Sequence, residues 1–211
     1  MNSGAMRATL AAFLLAGVLA LAVAGAAVAG ETRAAADEPE INSRYVLVDV
    51  KGRMVGNEDF PGRFQLISFG YTSCPDVCPT TLAAMTQILQ DLGDKAARLQ
   101  PIFITVDPER DTKEVLARYT AFFDSRIIGL TGSPELVRAA ADHFKVTYRK
   151  YLVPGAAPNS YSVDHTAGMY LLGPDGMFVV KFAHVASPQE IAARIGEMMD
   201  GNGRAPADGT R

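Results

Sequence analysis

Cys74 and Cys78 are the only cysteines in this 211-residue chain, and both lie in the stretch FGYTSCPDVCPTT. Three residues separate them, and a proline follows each. If the loop coils into a turn, residues four apart share a face and come within disulfide reach. The pair could then carry thiol–disulfide exchange. As thiolates, the same two sulfurs could equally ligate a soft metal ion. A structural staple would close a very short loop and so restrict the unfolded chain little. Redox exchange and metal binding therefore remain, and the pair alone does not choose between them.

The elements around the pair decide where it sits. RFQLISFG reads as a short apolar strand that feeds straight into the cysteine loop. A helix follows, with Pro79 suited to its first turn and Leu82, Met85, Leu89 and Leu92 at helical spacing until Gly93. The positive end of that helix favours thiolate. YVLVDVKGRMV reads as a hairpin about Lys51-Gly52, and PIFITV as a buried strand. Asp111-x-x-Glu114 resembles a capping box opening the helix TKEVLARYTAFF. RIIGL is a strand, Ser133-Pro134 opens the helix PELVRAAADHF, and KVTYRKY is extended. AGMYLLGPDGMFVVKFA is a second hairpin, and Ser187 with Glu190 caps the last helix, IAARIGEMM. This order predicts an α/β fold: a thioredoxin-like mixed central sheet flanked by helices, with an N-terminal β-hairpin. The cysteines fall at a strand-to-helix junction.

Residues 8–30 form an uncharged run of 23 residues preceded by Arg7 and followed by Glu31. As a helix the run would reach about 35 Å, enough for a hydrocarbon core of about 30 Å, with the N-terminus cytoplasmic. Ala27-Val28-Ala29 also fits a signal-peptidase site. Anchor and cleaved signal are both open, and both place the domain on the periplasmic side, where thiols oxidise unless kept reduced. The predicted organisation is an anchor or signal over 1–30, a linker over 31–40, a domain over 41–199 and a disordered tail over 200–211. A net charge of −3 gives no electrostatic footprint for nucleic acid.

Two enzyme readings lose ground. Thioredoxin-type reductases generally place a proline at the start of the strand facing their cysteines. Here no proline occurs between Pro158 and Pro174, and Val163-Asp164-His165-Thr166 precedes that strand. A peroxiredoxin needs a threonine three residues before its reactive cysteine, and those positions hold Tyr71 and Pro75. A histidine in the proline's place makes two thiolates and one imidazole, a set suited to Cu(I) and able to accommodate Cu(II). Structural zinc would want a fourth ligand, and none is evident. The loop LVPGAAPNSYSVDH must bring His165 in. His143 near a helix end and His184 after a strand read as bland, and Met85, Met198 and Met199 read as core by their spacing. Glu109, Arg110 and Asp111 are either a docking patch or a capped, solvated loop.

GYTSCPDVCPTTL, VDPERDT, LTGS and VDHTAGMYLLGPDG, in that order, resemble the SCO/SenC family of copper-delivery proteins over about residues 45–199. The resemblance implies a thioredoxin-like, membrane-tethered domain that binds one copper per chain, as Cu(I) or Cu(II). It implies a part in assembling the dinuclear CuA site of cytochrome c oxidase, as metallochaperone, thiol reductant or both. The implied partners are the copper-bearing oxidase subunit, other periplasmic copper carriers and the membrane. Cys74, Cys78 and His165 match the family's ligands, and Asp107 matches an acidic residue close to the site. Asp107 and Asp164 are the candidates for orienting the ring. The resemblance implies a chaperone rather than an enzyme, and the alternative is a periplasmic thiol–disulfide oxidoreductase with no copper-delivery role.

Overall fold

The structure, a computed structural model, describes residues 41–152 and 160–201. The first hairpin pairs β1 (Val46–Asp49) with β2 (Met54–Gly56). Its turn places Gly52 at φ 81°, a left-handed conformation that costs glycine little. The Asp49 carboxylate closes the turn by accepting from the backbone N–H groups of Lys51 and Arg53.

The chain then alternates. β3 (Phe64–Gly70) leads through the cysteine loop into α1 (Val77–Asp91), and β4 (Leu99–Thr105) into α2 (Lys113–Phe123). β5 (Ile128–Thr131) and α3 (Pro134–His143) follow. Next comes a ribbon of β6 (Tyr148–Leu152) and β7 (Tyr161–His165), then β8 (Met169–Leu172), β9 (Phe178–Phe182) and α4 (Pro188–Asp200). The seven-stranded sheet runs β2-β1-β5-β4-β3-β8-β9, with β3, β4 and β5 parallel and the other pairings antiparallel. This is the expected mixed sheet with flanking helices. Every residue of β3 and β4 is buried, as strands covered on both faces must be. Helix α1 buries Leu82, Met85, Ile88 and Leu89 along one stripe, and packs against α4.

The sheet order explains where chemistry can occur. Gly70 pairs with Thr105 at the carboxyl ends of neighbouring parallel strands, so the loops after β3 and β4 emerge side by side. β8 runs antiparallel to β3 with Met169 opposite Ser68, so the segment entering β8 reaches that same edge. Three chain segments distant in sequence therefore converge at one end of the sheet, where open α/β folds place their sites.

Two expectations need correction. The capping box at Asp111 does not form: Thr112 is the N-cap of α2, accepting from the Val115 N–H, while Asp111 is wholly buried with other partners. The segment carrying His165 is not simply a loop. Residues 161–165 form a strand paired in register with β6, Tyr148 opposite His165 and Leu152 opposite Tyr161. Period-2 alternation is weak in YSVDH, because the ribbon is only partly covered, so the pattern hid the strand. The anchor or signal at 1–30, the linker at 31–40 and nearly all of the tail at 200–211 lie outside the described residues. Among the described residues, no helix is long and apolar enough to cross a membrane.

Candidate metal centre

Strand β3 ends at Gly70 because the chain must turn there beside a sulfur. A Cβ on Gly70 would stand 2.7 Å from the Cys78 Sγ and 2.8 Å from the Phe103 ring. Real side chains do not approach so closely, so glycine is what leaves the cysteine its room. Cys78 itself is 1% exposed on the first turn of α1, whereas Cys74, in the preceding loop, is half-buried. Both are free thiols.

His165 arrives from the other side, at the end of β7. Its Nε2 lies 3.5 Å from the Cys78 Sγ, and its Nδ1 lies 3.1 Å from the Thr166 carbonyl oxygen. A carbonyl only accepts, so Nδ1 carries the proton and the Nε2 lone pair faces the sulfur. Thr166 is in turn fixed by Thr147, through the Thr166 N–H to the Thr147 carbonyl at 2.9 Å and the Thr147 N–H to the Thr166 Oγ1 at 3.1 Å. The ligand atoms of Cys74, Cys78 and His165 all lie within 4.8 Å of one another, a group able to hold a metal ion.

The two thiols differ electrostatically. Burial opposes ionisation of Cys74, but the backbone N–H groups of Asp76, Cys78 and Val77, with the Cys78 S–H, outweigh it and hold Cys74 below the usual thiol range. Burial pushes Cys78 far up, and charge on Cys74 adds to the rise. Burial also pushes His165 down, against the Thr166 hydrogen bond and the Asp164 charge, so the ring is neutral at neutral pH. The resting arrangement is one accessible thiol that ionises more readily than usual, one buried thiol that resists ionisation and one imidazole with its lone pair directed at them.

The loop after β4 supports both halves. The buried Asp111 carboxylate accepts from the Thr72 N–H at 3.0 Å, the Thr72 hydroxyl at 2.6 Å and the Thr105 hydroxyl at 2.6 Å. It thereby ties the cysteine loop to the end of β4. Asp107, also fully buried, accepts from the Tyr161 hydroxyl at 2.8 Å and from the Arg110 Nε. Its carboxylate is thus hydrogen-bonded to Tyr161 and Arg110 and not to the His165 ring. Asp164 is exposed, on the opposite side of β7 from Val163 and His165, as strand alternation requires. The group bonded to the ring is the Thr166 carbonyl, which sequence reasoning could not single out because a backbone atom leaves no residue-type signal. Asp111, Arg110 and Gly70 were legible only as parts of the motifs VDPERDT and FGYTSC.

Neither of the other two histidines contributes a ligand atom to this group. His143 Nδ1 meets the Arg44 carbonyl oxygen at 2.8 Å, and His184 Nδ1 lies 3.5 Å from the Thr81 Oγ1. Met85, Met198 and Met199 are buried in the core.

The geometry agrees with the comparisons to known proteins. The family model described as SCO1/SenC matches residues 33–200. The chain belongs to this family. A SCO2-like protein of Rickettsia felis is 37% identical over 174 residues, 82% of this chain and 82% of that one. The human mitochondrial protein named as a SCO1 homolog is 40% identical over 166 residues, which are 77% of this chain and 54% of its own length. The structure of Bradyrhizobium japonicum ScoI with copper bound superposes with a TM-score of 0.68 at 37% identity, covering 74% of this chain and 98% of that one. A SCO1/SenC chain therefore presents here two thiols and an imidazole as a preassembled group.

Proposed function

We propose that this chain binds one copper ion through Cys74, Cys78 and His165 and delivers it to the CuA site of cytochrome c oxidase during assembly. The convergence of two sulfurs and one Nε2 lone pair within 4.8 Å supports this reading above all else. Two thiolates and an imidazole suit Cu(I) and tolerate Cu(II), and the set lacks the fourth ligand of structural zinc. The copper-bound relative from Bradyrhizobium japonicum supports the same choice of metal. Asp107 acts on the site through the ribbon that carries His165, and Asp164 through its charge. The domain over 41–199 works on the periplasmic side, tethered by 8–30 or released by cleavage after Ala29, with 31–40 as its linker and 200–211 as its tail. Its partners are the copper-bearing oxidase subunit and other periplasmic copper carriers.

The asymmetry of the thiols favours a second role at the same site. A half-exposed cysteine whose ionisation is eased, beside a buried partner, is arranged to attack a disulfide as thiolate and then be resolved. The chain would reduce the cysteines of its target's copper site before or during transfer. Titration of the reduced domain with Cu(I) and Cu(II) tests the first role. One equivalent should bind tightly, Cys74→Ser and Cys78→Ser should each abolish it, and His143→Ala should leave it intact. Equal copper in wild type and Cys74→Ser would remove the site assignment. Disulfide reduction without any copper uptake would leave the oxidoreductase role alone.

A further inference from the structure

The ribbon that carries His165 lies outside the seven-stranded sheet: among the described residues, β6 and β7 pair only with each other. Besides the three-residue link from β7 into β8, the contacts that seat the imidazole against the sulfurs are made by side chains. Those contacts converge on Arg110. Its guanidinium lies over the Tyr161 ring, with Cζ 3.7 Å from the centroid, and its Nη1 donates to the Tyr161 carbonyl oxygen at 2.9 Å. Its Nε donates to the buried Asp107 carboxylate, which also accepts from the Tyr161 hydroxyl. The same cation also lies over the Tyr71 ring, 5.6 Å from its centroid. Tyr71 in turn meets the His165 ring edge-to-face at 6.0 Å. Among the described residues, Arg110 Nη2 is buried with no acceptor.

We propose that Arg110 is the positioning residue of the metal centre. With Asp107 and Tyr161 it forms a clamp that seats the ribbon and so holds His165 Nε2 within reach of the thiol pair. Planarity matters as much as charge: the cation stacks, forks to two acceptors on different segments and fills the gap between two aromatic rings, which an ammonium cannot do. The clamp acts on one ligand of three. Its loss should free the imidazole and leave the cysteines where they are. The clamp thus makes histidine ligation a separable step, through which the third ligand can be engaged or withdrawn while the sulfurs keep hold.

This inference rests on the proposed ligand set, and the test separates the two. In the metal-free, reduced protein, hydrogen exchange of the β7 amides should quicken in Arg110→Gln while the β3 amides keep their protection. Arg110→Lys should not restore the slow rates, since it keeps the charge and loses the fork. Tyr161→Phe, a milder change, should quicken β7 to a smaller degree and carries the test if Arg110→Gln does not fold. In copper titrations Arg110→Gln should weaken Cu(II) binding on the order of 10–100-fold, as loss of a ligand-supporting group does, with a smaller loss for Cu(I). The double variant Arg110→Gln/His165→Ala should bind Cu(II) no more weakly than His165→Ala alone, because residues acting through one another are not additive. Unchanged β7 exchange in both Arg110→Gln and Tyr161→Phe, or additive losses in the double variant, would overturn the clamp. No effect of His165→Ala on either oxidation state would instead strike the ligand assignment, and hydrogen exchange would then decide the clamp by itself.

Discussion

The two halves of the candidate metal centre are built differently. The cysteine half grows from the carboxyl end of β3, a strand buried along its full length and paired on both sides. Its sulfurs sit where the backbone of a central strand and the first turn of α1 put them. The histidine half hangs on a two-stranded ribbon that makes no ladder with the main sheet. Backbone hydrogen bonds in a buried ladder open only with much of the domain, whereas a peripheral ribbon can open alone. The loop after β4 serves both halves with different residues, Asp111 for the thiols and Asp107 with Arg110 for the ribbon. With the proposed ligand set, a site of this kind would keep two soft ligands constant and make the third adjustable.

The largest expected effect breaks the rigid half. Asp111→Ala leaves the Thr72 N–H and the Thr72 and Thr105 hydroxyls without their buried acceptor. Losing charge-assisted hydrogen bonds in such a setting costs about 3 kcal/mol, even allowing for relaxation. Denaturant unfolding should register that loss, and copper retention should fall for both oxidation states, because the cysteine loop itself is released. A selective loss of Cu(II) alone would mean that Asp111 belongs functionally to the ribbon and that the two halves are not separate.

This division also governs what the sequence reveals. The cysteine half was legible because its parts are local: an apolar strand, a CxxxC pair and a helix with Pro79 in its first turn all lie in one continuous stretch. The periodic helices, both hairpins and the Ser133 and Ser187 caps were legible for the same reason. The histidine half is a product of topology. His165 is 87 positions from Cys78, and only the antiparallel addition of β8 to β3 brings it to that edge. Without a resemblance to known motifs it reads as an unremarkable residue. Asp111 shows the same limit in reverse. Its local context, D-x-x-E before an amphipathic run, indicates a helix cap, but a neighbouring threonine takes that role and tertiary contacts recruit the carboxylate for the site. Local patterns give element starts; they do not say which of two adjacent polar residues a distant loop will claim.

A smaller effect sharpens the comparison from the cysteine side. Iodoacetamide should modify Cys74 well before Cys78 in the reduced, metal-free protein, since one is half-exposed and ionises more readily than an ordinary thiol and the other is buried and resists ionisation. The sign of the pH dependence follows from the direction of the shift. Lowering the Cys74 pKa moves the rise of its alkylation rate to lower pH than an ordinary thiol, whose midpoint is about 8.5, and further alkali adds little. The groups responsible, the N–H donors of Asp76, Val77 and Cys78 and the Cys78 S–H, all belong to the cysteine half. His165→Ala should therefore leave the Cys74 profile in place. A profile that moved to higher pH in that variant would show that the imidazole sets the thiolate, and the separation of the halves would fail.

The smallest effect belongs to the ribbon's outermost tie. Lys150 on β6 reaches the Glu109 carboxylate at 2.7 Å and stands 3.8 Å from the Asp107 carboxylate. On distance alone this looks like a second clamp between ribbon and loop. Its surroundings argue otherwise. The Lys150 side chain is 37% exposed and that of Glu109 is 63% exposed, so water and salt screen the pair and two long side chains must be ordered to make it. Arg110 differs in its bonds rather than its exposure: its guanidinium lies 3.7 Å from the Tyr161 ring centroid against 4.7 Å for the Lys150 Nζ, and it forks to a buried carboxylate and a backbone carbonyl. Lys150→Ala should therefore change stability by less than about 1 kcal/mol, with the difference fading in high salt. It should leave β7 hydrogen exchange close to wild type, where Arg110→Gln raises it. If Lys150→Ala instead freed the ribbon as fully as Arg110→Gln, the ribbon would be held by surface charge rather than by the stacked cation. Engagement of the third ligand would then follow ionic strength.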